Sequence, residues 1–351
     1  MADGCSPALW RDFAIAGDSA AQKGHRMPGV RVCGVLIGCI GLLLGGWASP
    51  APAQRSVAIA SIFPVADLAQ QVGGERWEVL TLIPAGASAH TYEPTPEQVR
   101  QLSQARVFFR VGLGLEFWLE KLVQAAKNPA LSIIDLSEGM ETLPTPSAES
   151  QPQVPEYDHP GHAYRSSQPA KELSPEVHTH EPPDAHYWLD PLRMQRVVEH
   201  MGEVFADLDA GHAPDYHERA ERVRQALDKL HQEIRQRTQG LPHRRFIAMH
   251  SAWTYFAPRY NLEQVAVIEP FPGREPSPRY LAELAKLMQK EGVNAVVIEP
   301  QLSPTAAQAL ARETGAKVGL LDPTGGQGLA GRDSYMALMR YNAAELLKLL
   351  R

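Results

Sequence analysis

The chain has 351 residues, with 34 Lys and Arg against 40 Asp and Glu and a formal net charge of −6 at pH 7. That length allows two domains with real cores, and a mildly acidic chain without a basic stripe argues against nucleic-acid binding and suits a soluble partner of cations. All three cysteines, Cys5, Cys33 and Cys39, lie near the N-terminus, so the rest of the chain has neither a disulfide nor the thiolate that copper(I) and most structural zinc sites use.

In chain order, residues 1–53 read as a removable segment. Met27-Pro28-Gly29-Val30-Arg31 leads into the apolar run "VCGVLIGCIGLLLGGWA" and then "SPAPAQ", which is the order of a charged n-region, an h-region and a small-residue cleavage site at Ala51-Pro52-Ala53. The run is short and glycine-studded for a membrane span. Residues 1–26 read as an upstream extension and Met27 as a start. The expectation is export to the periplasm. The alternative is a lipid anchor through Cys39 of "LIGC", against which the apolar run continues past that cysteine.

Residues 54–210 are expected to form an N-terminal β/α lobe. "SVAIASI" is a buried strand, Pro64 to Val72 a helix stopped by Gly73-Gly74, and "WEVLTLI" a second strand. Thr95 to Ala105 is a helix whose Thr95, Pro96 and Gln98 make a cap, a first helical residue and a capping box. "RVFFRV", the helix "LEFWLEKLVQAA" and "LSIIDL" follow. Short apolar strands with helical crossovers imply a parallel sheet covered on both faces. Residues 141–185, rich in Pro, Ser, Glu and His without periodicity, read as a mobile loop.

Residues 211–240 are assigned to a connecting spine. The amphipathic stretch from Asp215 to Gln239 would run roughly 37 Å at 1.5 Å per residue, the scale of a whole domain. The C-terminal lobe, 241–351, carries strands at "RRFIAMH", "LEQVAVIE", "NAVVIEP" and "AKVGLLDP" and a last helix over "SYMALMRYNAAELLKLL". Two β/α lobes with parallel sheets, joined by a long helix and holding a site in their cleft, is the expected architecture.

Ligands of open parallel sheets bind beyond the carboxyl ends of the strands. Four donors fall there or in adjoining loops: His90 after "WEVLTLI", His186 before "YWLDP", His250 after "RFIAM" and Asp322 after "KVGLL". Three imidazoles and a carboxylate suit Zn²⁺, whereas magnesium and calcium want mostly oxygens. Each donor also has a purely structural reading. His90 would be a solvated loop residue, His186 would stack on Trp188, His250 with Ser251 would cap "AWTYFAPRY", and Asp322 would cap the turn that follows it.

The stretches "GASAHTYEPTPEQ", "GLGLEFWLEKL", "DAHYWLDP", "HSAWTYFAPRYNL", "PFPGREPSPRYLAEL", "EPQLSPTAAQALARETGAKV" and "LDPTGG" resemble, in order, the metal-specific solute-binding proteins of bacterial ABC importers, the cluster A-I type. The resemblance implies two lobes bridged by a rigid helix and metal ligands at His90, His186, His250 and Asp322. It is nearer the zinc-binding members than the manganese-binding ones, which usually carry glutamate where this chain has His250. Ala89 before His90 and "LDPTGG" in place of "LDPLG" depart from the family pattern without removing a donor. Zinc members often carry a His-rich acidic loop between the first two ligands, and His159, His162, His178 and His180 occupy that place here. A flexible histidine tether holds zinc weakly and exchanges it.

These readings converge on an exported monomeric zinc receptor, not an enzyme, that passes Zn²⁺ to an ABC importer permease. The rivals are a Mn²⁺ or Fe²⁺ receptor, a zinc metallohydrolase and a metal-binding adhesin. Against hydrolysis, no H-E-x-x-H pair is present and Asp322 would close the shell to water. Ser277-Pro278 and Ser303-Pro304 are expected to start helices, Trp118 and Trp253 to pack in the core, and Glu269 and Glu299 to serve as caps or turns ahead of outer partners of the metal.

Overall fold

The computed structural model of the chain describes residues 55–146 and 182–351. The N-terminal lobe is built on strands β1 (Ser56–Ala60), β2 (Trp77–Thr81), β3 (Val107–Arg110) and β4 (Ser132–Asp135), all parallel, in the order β2-β1-β3-β4. Val107, Phe108 and Phe109 of the inner strand are fully buried in succession. Only a strand covered on both faces can place consecutive apolar residues that way. Its crossovers are α1 (Phe63–Gly73), α2 (Pro96–Gln104) and α3 (Leu119–Ala126).

The second lobe repeats the plan. Strands β5 (Arg245–Ala248), β6 (Glu263–Val267), β7 (Ala295–Ile298) and β8 (Lys317–Leu320) pair in parallel in the order β6-β5-β7-β8. In each lobe the chain steps one way from its first strand and then the other, so each sheet has one switch point, where strand ends open a crevice.

Two helices join the lobes. Helix α4 (Pro191–Leu208) packs along α5 (Ala213–Thr238). The buried face of α5 is Tyr216, Ala220, Val223, Leu227, Leu230, Ile234 and Thr238, a three-and-four spacing that keeps one stripe inward for the whole 26 residues. Helix α5 touches α1 on one side and α9 (Tyr335–Leu349) on the other. One apolar cluster therefore runs from β1 and β3 through the spine to Tyr335 and Leu346, and a smaller one fills the space under β5, β6 and β7. Polar ties cross the same seam: Tyr335 N donates to Asp67 Oδ2 at 2.8 Å, and Arg259 pairs with the buried Asp190, the N-cap of α4, at 2.7 Å.

Some boundaries differ from the sequence reading. Helix α3 starts at Leu119, not Leu115, because Glu116 folds back to accept the amide protons of Val111 and Gly112 at 2.8 and 3.0 Å. "AWTYFAPRY" is a 3-10 turn over Ser251–Trp253 and then the short α6 (Phe256–Arg259). Ser277 caps α7 (Pro278–Glu291), accepting from Tyr280 N, whereas α8 begins at Thr305 and not at Pro304. Trp118 and Trp253 are buried. Among the described residues no helix is long and apolar enough to cross a membrane.

Candidate metal centre

His90 sits in the loop between β2 and α2, and one side chain holds that loop. Gln98, buried in the first turn of α2, accepts from Thr95 N at 2.7 Å, completing one arm of the capping box. Its amide nitrogen donates to Leu82 O at 2.5 Å and meets the Tyr92 hydroxyl. Tyr92 in turn packs edge-on to Trp118. The strand end, the loop and the helix start are thus tied through a single residue, and His90 is fixed in place.

His186 opens a 3-10 turn, His186–Leu189, that follows an antiparallel bridge between Pro144 and Pro183. Asp184 Oδ1 accepts from His186 N at 2.8 Å and lies 2.9 Å from its Nδ1. The other Asp184 oxygen accepts from Thr254 and its carbonyl from Tyr255, both at the start of the second lobe. His250 stands two residues beyond β5 in extended backbone. Its Nδ1 is 2.8 Å from Glu299 Oε2, a short contact that is not aligned as a hydrogen bond. Glu299 follows β7, so His250 and Glu299 face each other across the switch point of the second sheet.

The three imidazoles meet at Nε2: the His90 nitrogen is 3.1 Å from that of His186, and His250 is 3.2 Å from it. Among the described residues these three form the group able to hold a metal ion, two of them buried and His90 partly so. A carboxylate accepting at Nδ1 of His186, and one 2.8 Å from Nδ1 of His250, favour the tautomer that holds the proton there and leaves a lone pair on Nε2. Lone pairs 3 Å apart repel unless a cation lies between them. Ligands around tetrahedral zinc at about 2.05 Å would stand about 3.3 Å apart, close to the separations observed.

The electrostatics agree. His90 is pushed well below the ordinary imidazole value, first by burial and then by His186 and His250. Burial lowers His250 as well, but the Glu299 carboxylate more than offsets it, and the net shift is upward. Asp184 is buried, which by itself would raise it, yet His186 and its other donors hold it below the usual carboxylate range. Glu269 is raised by burial and accepts from Gly273 N, the turn role expected of it. Glu299 departs from that expectation and works against His250.

Asp322 is placed elsewhere. Its Oδ1 accepts from Thr324 N, Gly325 N and Gln301 Nε2, and its Oδ2 from Arg332 at 2.8 Å. The turn-capping role takes the carboxylate, and it does not join the three imidazoles. Asp322 is thus not placed as the fourth donor that the sequence suggested. His159, His162, His178 and His180 lie outside the described residues, as does Cys39. Asp184 was the missed residue. Its signal was an Asp two positions before a candidate ligand, a spacing that bends the chain back on itself.

A protein-family profile described as "ZnuA: Zinc-uptake complex component A periplasmic" matches residues 59–349. The chain belongs to this family. A "Putative metal-binding protein" of Treponema pallidum (strain Nichols) is 28% identical over 252 residues, covering 72% of this chain and 74% of its own length. "Zinc-binding lipoprotein AdcA" of Streptococcus pneumoniae (strain ATCC BAA-255 / R6) is 30% identical over 269 residues, 76% of this chain, which spans about half (49%) of that relative. A solved structure titled "Crystal structure of ZnuA" aligns with a TM-score of 0.70 at 29% identity, covering 85% of this chain and 100% of that one. The two-lobed parallel α/β fold is that of the family.

Proposed function

We propose that the protein is the extracytoplasmic receptor of a zinc importer, capturing Zn²⁺ through His90, His186 and His250 and delivering it to an ABC-type membrane permease. The observation that carries this reading is the meeting of three Nε2 atoms, two of them backed by carboxylates at Nδ1. Two buried carboxylates, Asp184 and Glu299, match the charge of one divalent ion held by neutral imidazoles. An all-nitrogen protein shell favours zinc over manganese, which prefers oxygen. Three histidines with an exchangeable fourth position also occur in zinc hydrolases. Family membership, more than coordination, supports the receptor reading.

The four histidines of residues 147–181 support an accessory role in capture. Pro183, bridged to Pro144, stands three residues before His186, so the segment rejoins the described chain close to that histidine, which favours transfer of an ion captured on it. The test is zinc stoichiometry and affinity of the metal-stripped protein and its His90→Ala, His186→Ala and His250→Ala variants. Loss of tight zinc binding in each is expected. Retention of wild-type affinity in all three overturns the reading. Removing residues 156–182 should cost a second, weaker equivalent only.

A further inference from the structure

The Asp322 carboxylate lies close to the imidazoles in connectivity without touching them. On one side, Trp188, whose ring centroid is 5.0 Å from that of His186, donates its indole proton to Pro323 O at 2.8 Å. On the other, Gln301, two residues past the Glu299 that faces His250, donates to Asp322 Oδ1. The peptide of Asp322 is clamped by the buried Asn342, which accepts from its N–H and donates to its carbonyl at 2.8 and 2.7 Å. An anion so placed, only 1% exposed, is a candidate ligand for any cation in the cleft. What holds its second oxygen is Arg332.

Arg332 is built into its position. Its carbonyl accepts from Gly326 N, and its amide donates to Leu329 O. Gly325 has φ of +62°, and a Cβ there would lie 2.6 Å from the Arg332 carbonyl, so the loop closes only around glycine. The guanidinium stacks 5.2 Å over the Tyr341 ring of α9. From there Nη1 reaches Asp322 Oδ2.

We propose that Arg332 determines metal choice: by pairing with Asp322 it keeps a hard oxygen donor out of the cleft and leaves the ion three nitrogens. This rests on the three-histidine reading above. Without Arg332, Oδ2 loses the guanidinium while Oδ1 keeps its three donors, and a divalent ion becomes the nearest available counter-charge. A shell of three imidazoles and a carboxylate is harder and gains most for Mn²⁺.

The experiment is competition of Zn²⁺ against Mn²⁺ on the metal-stripped full chain, for wild type, D322N, R332Q and the double variant. Wild type and D322N should bind zinc alike. R332Q should gain roughly tenfold or more in Mn²⁺ affinity, the scale on which partners of metal ligands act, and the double variant should lose that gain. An unchanged zinc-to-manganese ratio in R332Q overturns the proposal, and so does a tenfold zinc loss in D322N. Should R332Q fail to fold, the visible spectrum of the Co²⁺-loaded protein decides. Identical bands in wild type and D322N are expected, and altered bands show Asp322 ligating despite Arg332. His186→Ala separates the layers: zinc loss there together with zinc loss in D322N sinks only this inference, whereas zinc retained in His186→Ala sinks the receptor site itself.

Discussion

Three imidazoles share one cation only if each presents the same nitrogen, and for two of them the chain enforces this through the far side of the ring. On the proposed reading, Asp184 and Glu299 would be as much part of zinc capture as the histidines they face. Asp184→Asn and Glu299→Gln should each weaken zinc binding by about 10- to 100-fold while leaving the melting temperature of the metal-free protein near wild type; calorimetric titration and a thermal melt check the pair. The pH dependence follows from the same contacts. Zinc must displace a proton from His250, whose affinity for it Glu299 raises, but not from His90, which burial and its neighbours keep neutral. Affinity should thus begin to fall above the ordinary imidazole value of about 6.5 as pH drops, and binding should release protons, measurable as a dependence of the apparent heat on the buffer. In Glu299→Gln the onset should move to lower pH. The histidines themselves were legible in the sequence because His250 directly follows a strand and His90 and His186 lie in loops that adjoin ordered elements. Their carboxylate partners were not, since Glu299 reaches His250 only through the pairing of β5 with β7, 49 positions apart in number, and no local pattern encodes that contact.

At the level of elements, periodicity was the reliable guide. The α5 stripe is strict because a long helix buried along one side tolerates no slip of the pattern. Leu230 lies on that stripe, fully buried. Leu230→Ala should cost about 2–5 kcal/mol, and because one apolar cluster spans both lobes, denaturant unfolding followed by separate probes in each lobe should shift together. Where side chains compete with helix geometry the pattern misled. Glu116 spends its carboxylate on two backbone amides and so delays α3, and α6 ends at Arg259 where Asn261 turns left-handed (φ +55°) and Leu262 N donates back to Ala257 O. Asp322 is the same lesson at the site: three donors close by in sequence, at Thr324, Gly325 and Arg332, claim a carboxylate that strand-end placement and resemblance had both assigned to the metal.

For the molecule as a whole, the lobes share more than a cleft. Helices α4 and α5, the Tyr335–Asp67 hydrogen bond and the Arg259–Asp190 pair cross the seam, and opening wide would expose apolar surface along the spine. Zinc should therefore leave the radius of gyration unchanged within error in X-ray scattering of the metal-free and loaded protein; a clear contraction on loading would show a hinge where a strut is expected. The two-lobe plan was readable from alternating strands and helices, but the repeated strand order came only from pairing.

That stiffness bears on how an ion leaves. Of the three imidazoles, His186 and His250 are buried and His90 is partly exposed, and His90 rides on a loop that Gln98 and Tyr92 tie back to Leu82 O. On the three-histidine reading, the partly exposed His90 is expected to let go first while the two buried histidines keep hold. The dwell time of zinc should then follow the 14-residue loop between β2 and α2, and loosening that loop should free the ion without prying the lobes apart.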